Sequence, residues 1–234
     1  MFGKNLVHHQ FAKEDGSLLV HSIWPTIQGE GPDAGRPAVF VRLSRCNLRC
    51  HFCDTDFSDG KWMSAGAVRD RVLELRGKSK LVVITGGEPL LQNIIPLTRM
   101  LGERGLSVGI ETAGSVYLEG LETLFDADLT VHYIVCSPKT PVLNWQIIKL
   151  IRAYKYIVAE NQVDSKDGLP IYSTQIPDKG QRIARPPSGA RVYVQACDVG
   201  DPFQNERNVK LAAKLAMQHG YLLSVQIHKL VGVE

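Results

Sequence analysis

Short hydrophobic runs alternate with amphipathic segments along most of the chain. Branched and aromatic residues are concentrated at 18–24 and 38–43, and both runs are predicted to be strands. The run at 81–84 is apolar at every position, which is typical of a strand covered on both faces. Further strands are predicted at 106–110, 129–135, 156–159, 191–194 and 222–227.

Helices are predicted between these strands, at 64–76, 91–103, 118–125, 144–152 and 205–219. Ser64 is a suitable N-cap for the first helix because its hydroxyl can accept a backbone N–H. Strands that alternate with helices imply right-handed crossovers and a mostly parallel sheet. About six such units are too few to close an eightfold barrel, so we predict an α/β fold with a partial, open (βα)6-type barrel.

The predicted domain organisation is a polar leader at 1–17 followed by a single domain at 18–234. A chain of 234 residues with 44% hydrophobic content can bury a substantial single core. Prolines and glycines break the helical pattern near 164–189, and this stretch is predicted to be an irregular connection.

Composition and charge argue against several classes of function. The 27 basic and 24 acidic residues are spread along the chain and leave a net charge of +3, so no nucleic-acid partner is predicted. No segment has the roughly 20 consecutive apolar residues of a membrane span, and the first residues lack the apolar core of a secretion signal. A cytoplasmic protein without a membrane partner is therefore expected.

Three of the five cysteines lie close together and directly follow a predicted strand. Cys46, Cys50 and Cys53 form the pattern CxxxCxxC, which suits metal binding in a reducing compartment better than a disulfide framework. Three thiolates can bind three irons of a [4Fe-4S] cluster and leave the fourth iron open to a ligand. From the residues alone a structural zinc site is the alternative, with His51 or a remote residue as the fourth ligand.

A second motif, Thr85-Gly86-Gly87-Glu88-Pro89, ends the strand predicted at 81–84. Taken alone it would be an ordinary strand-to-helix turn. However, ligand-binding groups gather at the carboxyl ends of neighbouring parallel strands in such folds. The two motifs together resemble the radical S-adenosylmethionine (SAM) superfamily. The resemblance implies that SAM chelates the open iron and that its one-electron cleavage yields a 5'-deoxyadenosyl radical.

Additional motifs, in order along the chain, resemble the 7-carboxy-7-deazaguanine synthase family from about Ile23 to the end. They lie at 26–31, 35–42, 46–56, 110–112, 136–139, 195 and 224–229. The resemblance implies conversion of 6-carboxy-5,6,7,8-tetrahydropterin to 7-carboxy-7-deazaguanine with loss of ammonia, on the route to queuosine and related 7-deazapurines. It also implies Mg²⁺ as a further cofactor, a homodimer, and an electron donor such as flavodoxin or ferredoxin.

The resemblance assigns site residues position by position. The implied substrate contacts are Ile27, Gln28, Gly29, Glu30, Arg42, Thr85, Gln195, Gln226, His228 and Glu234. The implied SAM contacts are Phe52, Cys53, Asp54, Gly87, Glu111, Ser137, Pro138 and Lys139. Cys46, Cys50 and Cys53 are the expected cluster ligands and catalytic residues, and Thr55 is the expected Mg²⁺ ligand. Glu234 would act through its main-chain carboxylate, although last residues are usually frayed.

Some of these roles have a physical rationale and a simpler alternative. Arg42 can hold a planar carboxylate with two parallel hydrogen bonds, or it is a surface arginine. Glu30 would accept hydrogen bonds from the guanidine-like edge of a pterin, or it is only solvated in its loop. Thr55 offers an oxygen to a hard cation, or it caps the following turn.

The last predicted strand gives a similar choice. Gln226 and His228 are expected to share one strand face, because side chains alternate along a strand. With Gln195 on another late strand they would frame the pterin, or they are buried polar residues satisfied by their neighbours.

Two other functions stay open from the sequence. One is another small radical SAM enzyme, such as a glycyl-radical activase, which has no reason to carry the motifs at 28–31 and 226–229. The other is a zinc-binding interaction module.

Overall fold

The computed structural model describes residues 6–53, 55, 57, 59–125, 131–175, 178 and 180–233, without the side chains of Val131 and His132. Its strands are β1 (Leu18–Ile27), β2 (Pro37–Leu43), β3 (Lys61–Met63), β4 (Leu81–Gly86), β5 (Ser107–Thr112), β6 (Val131–Cys136), β7 (Ala153–Val158), β8 (Val192–Ala196) and β9 (Leu222–Ser224). Its helices are α1 (Ala65–Leu75), α2 (Ile95–Gly102), α3 (Trp145–Ile148), α4 (Pro202–His219) and α5 (Ile227–Leu230).

All described strands belong to one sheet with the order β3-β1-β2-β4-β5-β6-β7-β8-β9. From β2 to β9 each neighbouring pair is parallel, whereas β1 runs antiparallel to both β2 and β3. The predicted α/β fold with a mostly parallel sheet is therefore confirmed. Parallel strands bring their carboxyl ends to one edge of the sheet, and that edge carries the motifs identified in the sequence.

The core follows from the apolar strands. Leu81, Val82, Val83 and Ile84 of β4 are each at most 1% exposed, so this strand is covered on both faces, as its continuous apolar run predicted. The largest hydrophobic cluster joins β1, β2, β4 and β5 to α1 and α2. A second cluster packs α4 against β7 and β8. Each fully buried aliphatic side chain contributes about 1.5–3 kcal/mol to folding.

Helix α1 agrees with its prediction, since Ser64 is its N-cap and the Ser64 hydroxyl accepts the Ala67 N–H at 3.2 Å. Two other predicted helices are much shorter than expected. The segment predicted at 118–125 contains only the 3-10 turn Leu121–Leu124, which follows Gly120 in the left-handed conformation. The segment predicted at 144–152 contains only α3, because β7 begins at Ala153 and the chain must first return to the sheet.

The end of the chain corrects the sequence prediction of a last strand at 222–227. Strand β9 ends at Ser224, which pairs with Gln195 near the end of β8. The Ile227 N–H bonds to the Gly29 carbonyl at 3.2 Å, and Ile227–Leu230 then form α5. Gln226 and His228 consequently do not share a strand face: Gln226 is the N-cap of α5, and His228 is in its first turn.

Two segments outside the sheet lie against the motifs. Between β7 and β8 the described residues contain turns and isolated bridges but no helix, in a stretch rich in proline and glycine. In the predicted leader, Val7 forms a parallel bridge with Cys46, and the His8 N–H bonds to the Cys46 carbonyl at 2.8 Å.

Among the described residues, no helix combines the length and apolarity needed to cross a bilayer.

Candidate active site

A cavity of about 750 Å³ opens at the carboxyl ends of the parallel strands. Strands β2, β4, β5, β7 and β8 deliver Arg42, Thr85, Glu111, Lys155 and Gln195 to its wall. The cysteine loop after β2 forms another part of the wall, and α5 with the residues around it completes the lining. The fold therefore brings the ends of distant sequence segments to one polar cavity.

All three motif cysteines line this cavity and pack in one hydrophobic cluster with Leu48 and Phe57. Burial, and secondarily the nearby Glu88 carboxylate, raise the pKa of the Cys46 thiol. Within the described part of the chain, no three His, Cys, Asp or Glu side chains are gathered as ligands of a single metal ion. Three thiols along one cavity wall suit a [4Fe-4S] cluster, because a cubane distributes its thiolate ligands over several irons.

The glycine motif packs directly against the cysteine loop. The Gly87 N–H bonds to the Leu43 carbonyl at 3.1 Å, and the Glu88 N–H bonds to the Arg45 carbonyl at 3.0 Å. A Cβ atom on Gly87 would lie 2.1 Å from the Arg45 carbonyl oxygen, which is backbone and cannot move aside cheaply. Glycine is required here because the two loops approach backbone to backbone.

Glu88 is a buried residue of this motif to which the sequence assigned no role. Its carboxylate accepts hydrogen bonds from the Thr112 hydroxyl and the Ala113 N–H, both at 2.8 Å, and from the Leu90 N–H at 3.1 Å. Burial raises the pKa of Glu88 to about 7, and the hydrogen bonds oppose that rise. Glu88 thus connects the loop after β4 to the end of β5. Its position between Gly87 and Pro89 was the sequence feature that could have indicated a role.

Glu30 lies at the centre of a second polar group in the cavity. Its carboxylate accepts the Gln195 amide at 3.0 Å and the Gln226 amide at 2.9 Å, and it forms an ion pair with Lys155. Burial alone would raise the pKa of Glu30, but the Lys155 ammonium and the hydrogen bonds outweigh it and hold the pKa at about 2. Glu30 is therefore ionised and held by partners on the cavity wall, with a side chain 16% exposed, rather than solvated in its loop.

Lys155 was missed by sequence reasoning. It occupies a buried position of β7, between Tyr154 and Tyr156, and is only 8% exposed. A lysine inside an otherwise apolar strand was the signal, because buried lysines are nearly always paired. The side-chain amide oxygen of Gln195 accepts the Ser224 hydroxyl at 3.0 Å, which turns the amide nitrogen of the same side chain toward Glu30.

Glu111 is bonded to residues that the resemblance assigns to a different ligand from its own. It accepts the Gln28 amide at 3.2 Å and the Thr85 hydroxyl at 3.0 Å, and both donors are implied substrate contacts. Glu111 itself is an implied SAM contact, so the structure brings the two groups of residues together on one side chain.

Arg42 reaches the cavity from the end of β2 beside two aromatic residues that the sequence analysis did not single out. Its guanidinium lies 4.8 Å from the ring centroid of Trp24, and the Trp24 and Phe40 rings are 5.3 Å apart. All three residues line the cavity. Pairing of the two predicted strands could have indicated these aromatic residues, because Trp24 lies opposite Phe40 in the β1–β2 register.

Lys139 and Phe52 form the part of the wall between the loop after β6 and the cysteine loop. The Lys139 ammonium donates to the Ser137 carbonyl at 3.1 Å and lies 5.8 Å from the Phe52 ring centroid. Burial lowers the pKa of Lys139. Thr55 also lines the cavity, and its carbonyl accepts the Cys53 thiol at 3.6 Å.

Most residues implied by the resemblance line this cavity. They are Ile27, Gln28, Glu30, Arg42, Cys46, Cys50, Phe52, Cys53, Thr55, Thr85, Gly87, Glu111, Ser137, Lys139, Gln195, Gln226 and His228. Gly29 and Pro138 are not part of the lining. Gly29 backs onto His228, because a Cβ atom there would lie 1.8 Å from the His228 ring. Asp54 and Glu234 lie outside the described residues.

The chain is similar to known proteins over its whole length. Residues 41–161 match the family model described as the radical SAM superfamily. The 7-carboxy-7-deazaguanine synthase of Rhodospirillum rubrum is 42% identical over 240 residues, with 100% of both chains covered. That of Rickettsia prowazekii is 38% identical, with 100% of this chain and 96% of the relative covered.

A solved structure agrees with the fold. The crystal structure of QueE from Escherichia coli matches with a TM-score of 0.64 and 21% identity, over 90% of this chain and 94% of that chain. At this identity the likeness bears on the architecture alone, and it supports the mostly parallel sheet described above.

Proposed function

The chain belongs to the radical SAM superfamily and, within it, to the 7-carboxy-7-deazaguanine synthase family, and on that premise we propose that it converts 6-carboxy-5,6,7,8-tetrahydropterin to 7-carboxy-7-deazaguanine with loss of ammonia. It is a radical SAM enzyme of 7-deazaguanine biosynthesis. One observation carries the proposed reaction: the three motif cysteines share a cavity with the hydrogen-bonded Glu30 carboxylate, with an arginine, and with the side chains of Gln226, His228 and Lys229 from the end of the chain.

The superfamily implies a [4Fe-4S] cluster and SAM, and the residues of the cavity fit both groups. When bound, they supply one-electron cleavage of the SAM sulfonium bond and hydrogen abstraction from the substrate. Cys46, Cys50 and Cys53 would hold the cluster. Gly87 lines the cavity beside the cysteine loop, where its backbone would meet the amino-acid part of SAM, and the half-buried Lys139 ammonium lines the same cavity.

The polar group around Glu30 suits recognition of a pterin. A carboxylate has about four acceptor sites, and three donors already use the Glu30 carboxylate, which leaves one for a substrate N–H. Lys155 keeps Glu30 ionised at neutral pH. Arg42 would hold the pterin carboxylate, because its guanidinium is oriented by the Trp24 ring and offers two parallel donors.

Mg²⁺, a homodimer, and an electron donor such as flavodoxin or ferredoxin belong to the same proposal. The family resemblance supports them, and the cytoplasmic location stays a prediction from the sequence.

The test of the reaction is an anaerobic assay with reconstituted enzyme, the carboxytetrahydropterin, SAM, Mg²⁺ and a chemical reductant. Mass spectrometry is expected to find 7-carboxy-7-deazaguanine and, in the absence of reductant, none. Release of 5'-deoxyadenosine without any deazaguanine would keep the radical SAM chemistry and reject the substrate.

Thr55→Ala is expected to raise several-fold the Mg²⁺ concentration needed for half-maximal activity, because the variant loses the oxygen ligand that the hydroxyl offers. Thr55→Ser keeps a hydroxyl and serves as the matched control. Iron content and SAM binding should be equal in all three proteins. Superimposable Mg²⁺ titrations for wild type and Thr55→Ala would remove Thr55 from the metal site.

The proposed role of the terminal carboxylate is supported by the residues before it. Val233 lines the cavity, and its N–H bonds to the His228 carbonyl at 3.0 Å. The Lys229 ammonium pairs with Asp198 at 2.6 Å, which fixes α5 beside β8 and holds the pKa of Asp198 at about 2. The chain is therefore directed to the cavity up to its last described residue.

A C-terminal peptide extension keeps Val233 but removes the carboxylate from residue 234. It is expected to raise KM for the pterin by about tenfold, the loss associated with one charged hydrogen bond. Glu234→Gln keeps the main-chain carboxylate and should be close to wild type. If the extended enzyme has an unchanged KM, the terminal carboxylate does not bind substrate.

A further inference from the structure

The irregular connection between β7 and β8 reaches the cysteine loop through Thr174 and Gln175. Both side chains are buried, at 9% and 8% exposure. The Thr174 N–H bonds to the Lys139 carbonyl at 3.0 Å, so the segment is anchored to the loop after β6. These two residues lie in the part of the chain that carries no family motif, and the resemblance assigns no role to them.

The Gln175 side chain has a fixed orientation. Its carbonyl oxygen accepts the Arg49 N–H at 2.7 Å, which only the oxygen end of an amide can do. The nitrogen end therefore faces the other way, where it lies 3.2 Å from the Cys50 sulfur and 2.7 Å from the Thr174 hydroxyl oxygen. The two amide hydrogens are sufficient for these two acceptors.

The Thr174 hydroxyl has one proton and two acceptors within reach, since the Cys50 sulfur and the Lys139 carbonyl are both at 3.2 Å. The Lys139 carbonyl already accepts the Thr174 N–H and the Ser173 hydroxyl, both at 3.0 Å. The Ser173 hydroxyl is shared between that carbonyl and the Asp178 carboxylate, which is also at 3.0 Å. A ligating thiolate carries negative charge and is a stronger acceptor than the neutral Lys139 carbonyl. The Thr174 proton is thus directed to the sulfur, and Cys50 receives two hydrogen bonds from one short segment.

We propose that Thr174 and Gln175 are positioning residues that raise the reduction potential of the cluster through hydrogen bonds to the Cys50 thiolate. The inference rests on the proposed cluster ligation. A donor beside a ligating sulfur withdraws electron density from the iron and stabilises the added negative charge of the reduced cluster, so reduction becomes easier.

The sulfurs of the other two cysteines contact residues of their own loop. The Cys46 sulfur is 3.4 Å from the Leu48 N–H, and the Cys53 thiol donates to the Thr55 carbonyl. Cys50 is the ligand that the connection reaches, and the connection is simultaneously bonded to Lys139. The effect of a substitution in this segment should therefore be measurable as a change in the reduction potential of the cluster, independently of turnover.

The test is a potentiometric titration of the reconstituted holoenzyme, followed by the electron paramagnetic resonance signal of the reduced cluster. Thr174→Val keeps the shape of the side chain and removes the donor, and Gln175→Leu removes the amide. Both are expected to shift the midpoint potential to more negative values, and the double variant further. Thr174→Ser keeps the hydroxyl and is expected to match wild type.

Thr140→Val is the matched control, because the Thr140 hydroxyl bonds to the Val142 carbonyl at 2.8 Å and not to a sulfur. Its midpoint should equal that of wild type. The signal reports only loaded protein, so incomplete loading of a variant does not hide the result. Unchanged midpoints in Thr174→Val and Gln175→Leu, or an equal shift in Thr140→Val, would overturn the inference. Wild-type protein that binds no iron and gives no signal would instead reject the cluster.

Discussion

Replacement of Cys50 by alanine is expected to abolish formation of 7-carboxy-7-deazaguanine, and the same holds for Cys46 and Cys53. Each thiolate would bind a different iron, and alanine offers no ligand, so the two remaining cysteines cannot hold the cluster in one place. Iron and sulfide content after anaerobic reconstitution should fall together with turnover, which should drop below detection. A Cys50→Ala enzyme that keeps its cluster and its turnover would contradict the ligand assignment.

Cys136→Ala is the matched control for these variants. Cys136 is fully buried at the end of β6 and, unlike the three motif cysteines, does not belong to the lining of the cavity, so it is not placed to bind a cluster there. Its replacement removes one buried sulfur and should cost only about 1 kcal/mol of stability. Cluster content and turnover are expected to be those of wild type. Cys197 is less suitable as a control because it lines the cavity.

The sequence predicted the fold well wherever the signal was local. The continuous apolar run of β4 and the Ser64 cap of α1 are properties of a few consecutive residues, and both are confirmed. The two glycines of the second motif were also informative, because the close approach of Gly87 to the cysteine loop requires that residue type.

Prediction failed where the outcome depends on distant partners. The chain after Ser224 has residues typical of a strand, but its pairing with β8 ends at Ser224. The Ile227 N–H instead donates a hydrogen bond to the Gly29 carbonyl. Lys155 becomes informative only when β7 lies beside the Gln28 to Gly31 loop and its ammonium meets Glu30. Thr174 and Gln175 belong to a connection whose path no periodic pattern describes.

Substitution of Lys155, the partner of Glu30, is expected to cause a large loss of stability, because the ion pair is largely buried and central to the cavity. Lys155→Met removes the cation and leaves the largely buried Glu30 carboxylate with the two glutamine amides as its partners among the described residues. Removal of one partner of a buried ion pair typically costs about 3–5 kcal/mol. The free energy of unfolding of Lys155→Met, measured by chemical denaturation, should fall by that amount.

The pH dependence has a defined sign. The pKa of Glu30 is lowered from 4.5 to about 2 in the folded protein, so its contribution to stability is complete above pH 4.5 and is lost as the pH falls toward 2. The difference in unfolding free energy between wild type and Glu30→Gln should therefore narrow when the pH is lowered through this window. A difference that stays constant would show that folding does not lower the pKa of Glu30.

The double variant Glu30→Gln/Lys155→Met separates the structural contribution of the pair from substrate binding. With both charges gone, no uncompensated buried charge remains, and most of the stability lost in Lys155→Met should return. Pterin turnover should not return, because the neutral amide that replaces the Glu30 carboxylate cannot accept a charged hydrogen bond from the substrate N–H. Such bonds contribute about 1.5–3 kcal/mol, so kcat/KM should stay about ten- to a hundredfold below wild type. Recovery of both stability and kcat/KM in the double variant would mean that the pair only holds the fold together.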